Sequence, residues 1–125
     1  MSEAPLSKSA ELDRVILRVR RSIPELHGVM IASTDGLSVA HDFPDTESEQ
    51  VAAMAATALG LGDRITHRTN LGQLEEAVVR GADGYLVVYP AGSAVLVMSA
   101  PVSSNLGLMR IEARAAAVEI SQLLT

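Results

Sequence analysis

The three histidines are the residues of this chain best suited to metal binding or acid–base chemistry. His27, His41 and His67 are far apart in the sequence, and no two of them stand at the i, i+4 spacing of metal ligands on one helix. Cysteine is absent, which excludes disulfides, thiolate metal sites and cysteine nucleophiles. Glu75 and Glu76 are adjacent and would point to opposite faces of a strand, so they predict a solvated edge rather than an acid/base pair.

Glycine motifs that bind phosphate are also missing. Neither G-x-x-x-x-G-K-[ST] nor G-x-G-x-x-G occurs, and Gly60-Leu61-Gly62 lies inside a helical pattern. The nucleophile motif G-x-S-x-G does not occur either. We therefore expect no metal site and no binding of nucleotide in the manner of a GTPase; a triad of a serine with a distant histidine stays open, although no motif indicates one.

A small basic cluster, Arg64, His67 and Arg68, lies near the end of a helical pattern. Cations in a last turn complement the helix dipole, which is a sufficient structural reason for them. The functional alternative is a contact for an acidic partner surface, or an arginine supplied to a GTPase. The pattern favours the structural reading.

Composition restricts the classes of partner. The chain has 125 residues, enough for one domain, and a formal net charge of -5, which argues against nucleic acid and against an anionic membrane surface. The N-terminus lacks the apolar core of a signal peptide. An uncharged stretch runs from Gly84 to Met109, but Pro90, Gly92 and Pro101 divide it into short pieces, which predicts two buried strands and a loop. We therefore expect a cytoplasmic protein with no membrane insertion.

The first half of the chain shows a helix followed by a hairpin. Residues 1–8 are polar and predict a flexible tail, with the domain spanning 9–125. Apolar residues recur at helical spacing from Ser9, which predicts a helix that ends before Pro24. Two β-prone runs, 26–33 and 37–41, flank Asp35-Gly36, which is a strong hairpin signal.

The segment 47–67 predicts a helix that is apolar on two sides. One stripe of larger residues comprises Val51, Met54, Ala58, Leu61 and Ile65, and the small residues Ala53, Ala56 and Gly60 lie almost opposite. A helix that is apolar all round is buried on two sides, and small residues permit the close approach of another helix. A partner subunit could cover that second side. The alternative is an ordinary internal helix whose alanines reflect helix propensity.

The second half predicts two buried strands and a final helix. Residues 72–80 are ambiguous between helix and strand, whereas 85–89 and 94–98 are continuously apolar, as strands covered on both faces are. The last helix should run from about Leu106 to Leu124. Its core-facing residues are predicted to be Leu108, Ile111, Ala115 and Val118, with Arg110, Arg114 and Glu119 facing water. An antiparallel sheet covered on both faces by helices fits this order.

Four segments together resemble the Roadblock/LC7 domain family. Residues 26–40 resemble its first hairpin, 49–56 the start of its central helix, 84–88 its later strand and 105–110 the start of its last helix. The resemblance covers residues 9–124. It implies an α+β fold (an α/β/α sandwich) with a five-stranded antiparallel sheet. One helix lies on one face and two on the other, in the order α-β-β-α-β-β-β-α.

The resemblance also implies a dimer without cofactor or catalytic residues. In the family, the partners' central helices pack together and their third strands pair, so 72–80 becomes an edge strand. The implied homodimer interface residues are Ala53, Ala56, Leu59, Gly60, Leu74, Glu76 and Val78. Several bacterial members act on Ras-like GTPases, one of them as a GTPase-activating protein, and other members are scaffold subunits or dynein light chains.

The expected function is therefore a dimeric, non-catalytic regulator of a small Ras-like GTPase. The candidate residues for binding the GTPase are Gln50, Thr57, Arg64 and His67. The alternative is a structural adaptor dimer that docks partner proteins without changing GTP hydrolysis. A ligand-sensing module is a third hypothesis, which the scarcity of aromatic residues and buried polar anchors disfavours.

Overall fold

The computed structural model describes residues 7–44 and 47–125 of the chain. Its elements are α1 (Lys8–Ser22), β1 (Gly28–Ser33), β2 (Ser38–Asp42), α2 (Ser48–Arg68), β3 (Ala77–Gly81), β4 (Gly84–Ala91), β5 (Ala94–Pro101) and α3 (Leu106–Leu123). This order confirms the predicted α-β-β-α-β-β-β-α arrangement. Of the tail predicted over 1–8, residues 1–6 lie outside the described residues. Ser7 is the N-cap of α1, and its hydroxyl accepts a hydrogen bond from the Ala10 N–H at 3.2 Å.

The five strands form one antiparallel sheet in the order β2-β1-β5-β4-β3. The predicted hairpin around Asp35 and Gly36 is confirmed, with Gly36 at φ 88°, where a residue without Cβ is favoured. The Ser33 N–H donates to the Leu37 carbonyl at 2.8 Å and closes the turn. This places β2 at one edge of the sheet and β3 at the other.

Helices cover both faces of the sheet, as the sandwich prediction requires. Helices α1 and α3 pack on the face that carries Ile31, Tyr89 and Leu96, and α2 packs on the face that carries Met30 and Val97. The central strands are buried on both sides, which explains their continuous apolar sequence. Within the described ranges, no helix has both the length and the apolarity to cross a membrane.

The third strand is shorter than predicted. It spans Ala77–Gly81 rather than 72–80, so Leu74 and Glu76 precede it. The reason lies at the end of α2, where Asn70 adopts φ 60° and the Leu71 N–H bonds back to the Thr66 carbonyl at 2.8 Å. Residues 72–76 are used to carry the chain from that helix end to the sheet edge.

The buried face of α3 differs from the predicted one. Met109, Ile120 and three alanines face the core, whereas Ile111 and Val118 are 66% and 59% exposed. Leu108 and Ala115, predicted to face the core with them, are also exposed. The alanines, Ala113, Ala116 and Ala117, bring α3 close to the sheet and α1. Ile111 and Val118 therefore lie on the outer side of the helix.

Helix α2 also buries small residues and exposes larger ones that the sequence pattern had grouped as an apolar stripe. Ala52 and Ala55 are fully buried against the sheet, and Val51 and Leu59 pack beside them. Most of the stripe of larger residues predicted from the sequence points away from this core. The small residues at the contact allow α2 to approach the sheet closely.

Candidate protein-interaction surface

The outward side of α2 is polar. Gln50, Thr57 and Arg64 are seven residues apart, so they lie along one line of the helix, and all three are exposed. The Thr57 hydroxyl donates to the Ala53 carbonyl at 2.9 Å, which fixes its rotamer. We call the line of Gln50, Thr57 and Arg64 the polar ridge. Three of the four residues predicted to bind a partner thus lie together.

His67 lies to one side of this ridge, in the last turn of α2. It borders an open cleft of about 330 Å³ together with Asp63, Arg64 and Arg68. The Asp63 carboxylate adds a negative charge beside the basic cluster of Arg64, His67 and Arg68. His67 and Arg68 are also placed to complement the negative end of the helix dipole, which supports the structural reading of these two cations.

One flank of α2 consists of the small residues Ala53, Ala56 and Gly60. Ala53 and Ala56 lie next to the β1–β2 turn, where a Cβ added to Gly36 would be 3.2 Å from the Ala53 Cα. Gly60 is open, with no atom within 4 Å of an added Cβ. Ala56, Leu59 and Gly60, together with Leu74 from the following loop, border a cleft of about 240 Å³. Four of the predicted interface residues therefore converge on one groove.

The opposite flank of α2 carries large apolar side chains. Met54, Leu61 and Ile65 are 61%, 56% and 51% exposed, and their spacing places them, with Ala58, on one side of the helix. We call these four residues the apolar flank. Single exposed apolar residues are ordinary on a protein surface, but an aligned row of them is a feature of interaction sites.

The edge strand β3 is paired only with β4 among the described residues. Val79 pairs with Leu86, which packs with the α2-side core, so Val79 points to the α2 face and is 55% exposed. Val78 points to the other face and is 38% exposed. A β-prone edge with free N–H and C=O groups is a template for pairing with another strand.

Glu76 is anchored to α3 instead of projecting from the edge. Its carboxylate accepts hydrogen bonds from Arg110, with the Nη2–Oε2 distance at 2.8 Å, and another from the Tyr89 hydroxyl. Hydrogen bonds from the Arg110 guanidinium lower the pKa of the Glu76 carboxyl. Burial and the bond to Glu76 raise the pKa of the Tyr89 hydroxyl. The prediction that Glu76 forms a solvated edge is therefore wrong. Arg110, predicted to face water, is 41% exposed and also binds Glu76. The cluster instead connects the residue that precedes β3 to α3, which lies on the face of the sheet opposite α2.

The Glu76 cluster predicts an acid-sensitive contribution to stability. Because the folded-state pKa of Glu76 is lowered from 4.5, the stabilisation is fully present above pH 4.5 and is lost as the pH falls through the folded value. We expect Glu76→Gln to reduce both the free energy of unfolding at pH 7 and its decline below pH 4.5. Urea unfolding followed by circular dichroism at pH 7 and at lower pH measures both. Equal losses in the exposed control Glu75→Gln would contradict this assignment.

No group of three or more His, Asp or Glu side chains in residues 7–44 and 47–125 could hold a metal ion. His41 lies on β2, where its Nδ1 is 3.1 Å from the Ser38 hydroxyl, and His27 is an exposed residue before β1. The three histidines are thus not brought together.

Comparison with known proteins identifies the family. The family model "Roadblock/LC7 domain" matches residues 12–100. The chain belongs to the Roadblock/LC7 family. Two relatives from Methanocaldococcus jannaschii, Uncharacterized protein MJ1340 and Uncharacterized protein MJ0714, are 33% and 34% identical to this Roadblock/LC7 protein over 113 residues. These alignments cover 90% of the chain and 98% and 95% of the two relatives.

Solved structures share the Roadblock/LC7 fold. Myxococcus xanthus MglB has a TM-score of 0.83 at 16% identity, covering 98% of this chain and 94% of that one. A Roadblock/LC7 domain from Streptomyces avermitilis has a TM-score of 0.83 at 20% identity, covering 90% and 96%. An MglB structure described as having a tetrameric arrangement has a TM-score of 0.84 at 17% identity, covering 96% and 92%.

Sequence reasoning missed two parts of this surface. It did not predict the Glu76–Arg110 contact, because the two residues are 34 positions apart and no local pattern links them. It also did not expect the apolar flank to be exposed. The signal was present in the alanines at 52 and 55, which have the spacing of a helix face and are small enough for close packing on a sheet.

Proposed function

We propose that this protein is a homodimeric, non-catalytic regulator of a small Ras-like GTPase. The observation that carries the proposal is α2 itself, where an exposed polar ridge lies between a small-residue groove and an exposed apolar flank. Membership of the Roadblock/LC7 family supports it, since several bacterial members act on such GTPases. Regulation of a small Ras-like GTPase would place the protein in the cytoplasm.

The dimer would form through α2 and the edge strand β3. Pairing of β3 with its copy would satisfy the free backbone groups of the edge and continue the sheet. The side of α2 that meets the partner is either the small flank of Ala53, Ala56 and Gly60 or the apolar flank. The exposed area favours the apolar flank, because burying a half-exposed Leu, Ile or Met side chain contributes about 1 kcal/mol each.

The GTPase would bind the polar ridge, with His67 beside it. A dimer presents two ridges, and their Arg64 side chains supply positive charge for an acidic patch of the partner. No catalytic constellation is present in the described ranges, so any acceleration would come from reordering the GTPase's own switch segments. Such regulation requires that the dimer bind the two nucleotide states of the GTPase with different affinity.

Phosphate release from the GTPase tests this function. The small GTPase encoded nearest to this protein's gene is purified, loaded with GTP, and followed with and without the dimer. We expect a change in the hydrolysis rate that saturates as the dimer is added. Binding without a change in rate would support the adaptor function instead, and the absence of both would overturn the proposal.

Arg64→Ala is expected to weaken GTPase binding at least tenfold, since losing a charge-assisted contact in an interface costs about 1.4 kcal/mol or more. The fold should be unaffected because the side chain is exposed. The matched control is Arg21→Ala, an exposed arginine of α1 on the other face of the sheet. Titration calorimetry measures both, and equal weakening by the two variants would exclude the polar ridge as the binding site.

A further inference from the structure

Helix α3 carries a second row of exposed apolar residues, on the face of the sheet opposite α2. Leu108, Ile111 and Val118 are 39%, 66% and 59% exposed, and Ala115 between them is exposed as well. They lie opposite Met109 and Ile120, which are fully buried. We call Leu108, Ile111, Ala115 and Val118 the α3 seam.

The spacing of the α3 seam is that of a coiled coil. Its members follow one another at intervals of three, four and three residues, which is the alternation of the a and d positions in a heptad. In that register Glu112 and Glu119 occupy e positions, and Arg114 occupies a g position. An apolar a/d row with charges at e and g favours a second helix lying along it.

We propose that the α3 seam binds the α3 seam of a second copy of this chain, with the two helices parallel. Parallel pairing places g residues opposite e residues five positions later, so Arg114 would face the copy's residue at position 119, a glutamate. Antiparallel pairing would oppose g to g and e to e, setting arginine against arginine and glutamate against glutamate. Charge complementarity therefore selects both the occupant and its direction.

The neighbouring charges are compatible with this pairing. Glu119 already binds Arg18 of its own α1, but the two side chains are 40% and 56% exposed, so their ion pair is weak. The hydrogen bond from Arg18 uses Oε2, and no hydrogen bond from residues 7–44 or 47–125 is seen at the other carboxylate oxygen. Arg110 points to the other side of α3, where it holds Glu76. The charges bordering the seam are thus Glu112, Arg114 and the Arg18–Glu119 pair.

This contact is separate from the dimer proposed above. The seam lies with α1 and α3, whereas the apolar flank and the polar ridge lie on α2 across the sheet. Both contacts can form at once, so that seam pairing joins one α2 dimer to another while the polar ridges stay accessible. Because the seam from Leu108 to Val118 is shorter than two full heptads, the α3 contact should be the weaker of the two.

Cysteine cross-linking tests the pairing and its direction, because the chain contains no cysteine. The variant Leu108→Cys is oxidised mildly at tens of micromolar protein and examined by denaturing electrophoresis without reductant. Parallel pairing brings the two copies of position 108 together, so a covalent dimer is expected. The control Glu25→Cys, an exposed position outside the seam, should remain monomeric under the same conditions. Equal cross-linking of both variants, or none at position 108, would overturn the proposal.

A charge exchange provides an independent test in solution. Arg114→Glu or Glu119→Arg alone should each weaken the association at least tenfold, because each places like charges across the seam twice. An equimolar mixture of the two variants should recover it, since every facing pair becomes opposite in sign. Sedimentation velocity measures the masses. Ile111→Glu should also leave only the α2 dimer, and a failed recovery in the mixture would contradict the parallel seam.

Discussion

Replacing Leu61 by glutamate, in a chain that also carries Ile111→Glu to remove the α3 contact, is expected to convert the α2 dimer into monomers of 13.2 kDa. Leu61 lies in the middle of the apolar flank and is 56% exposed in the single chain, so the substitution should leave the fold intact. In the dimer the new carboxylate would be buried without a partner, and an uncompensated buried charge costs about 3 to 5 kcal/mol. Light scattering at micromolar concentration, with circular dichroism as the check of folding, measures the outcome.

Two variants make this experiment specific. Leu17→Glu changes an equally exposed leucine of α1, 50% exposed, and should leave the α2 dimer unchanged. Ala56→Arg places a charge on the small flank, where the partner would approach if the groove, and not the apolar flank, formed the contact. With Ile111→Glu present in every variant, monomers from Ala56→Arg together with dimers from Leu61→Glu would reassign the interface to the small flank.

Enlarging Ala55 to leucine is expected to lower the free energy of unfolding by about 1 to 3 kcal/mol, the usual cost of overpacking a filled core. Ala55 is 1% exposed and lies between α2 and the sheet, where Val88 and Val97 are fully buried. A larger side chain there must push the helix outward. Urea unfolding at fixed protein concentration measures the loss, since association shifts apparent stability.

The matched control is Gln50→Leu, which adds a leucine to the exposed side of the same helix. Its effect should lie within about 0.5 kcal/mol, as for other surface substitutions. If Ala55→Leu were as mild as Gln50→Leu, α2 would not be held against the sheet as closely as described.

Local patterns predicted the elements because their signals are short-range. Asp35-Gly36 between two β-prone runs specified the hairpin, and the continuous apolar runs around Val88 and Val97 specified strands with cover on both faces. Order and spacing then predicted the sandwich. Each of these inferences used residues that are near one another in the chain.

The orientation of α2 and α3 could not be predicted in the same way. Both helices have apolar residues on two sides, so periodicity alone does not identify which side is buried. Assigning the larger side chains of α3, such as Ile111, to the core assumed that size decides burial. In fact alanines form much of both contacts, because they allow the helices to pack close to the sheet.

The candidate surface was predicted in part for a related reason. Gln50, Thr57 and Arg64 share a helix, so their alignment follows from helical spacing. The position of Glu76 depends on Arg110 and Tyr89, which reach it only after the sheet and α3 have packed. Contacts between distant segments of this kind leave no local trace in one sequence.

The affinity of the dimer for the GTPase in its two nucleotide states tests the central proposal most directly. Titration calorimetry would compare the GTPase loaded with a non-hydrolysable GTP analogue and the same GTPase loaded with GDP. Regulation through conformational bias predicts at least a tenfold difference in Kd between the two states. Equal affinity for both would contradict it, since a partner that binds two states equally shifts neither.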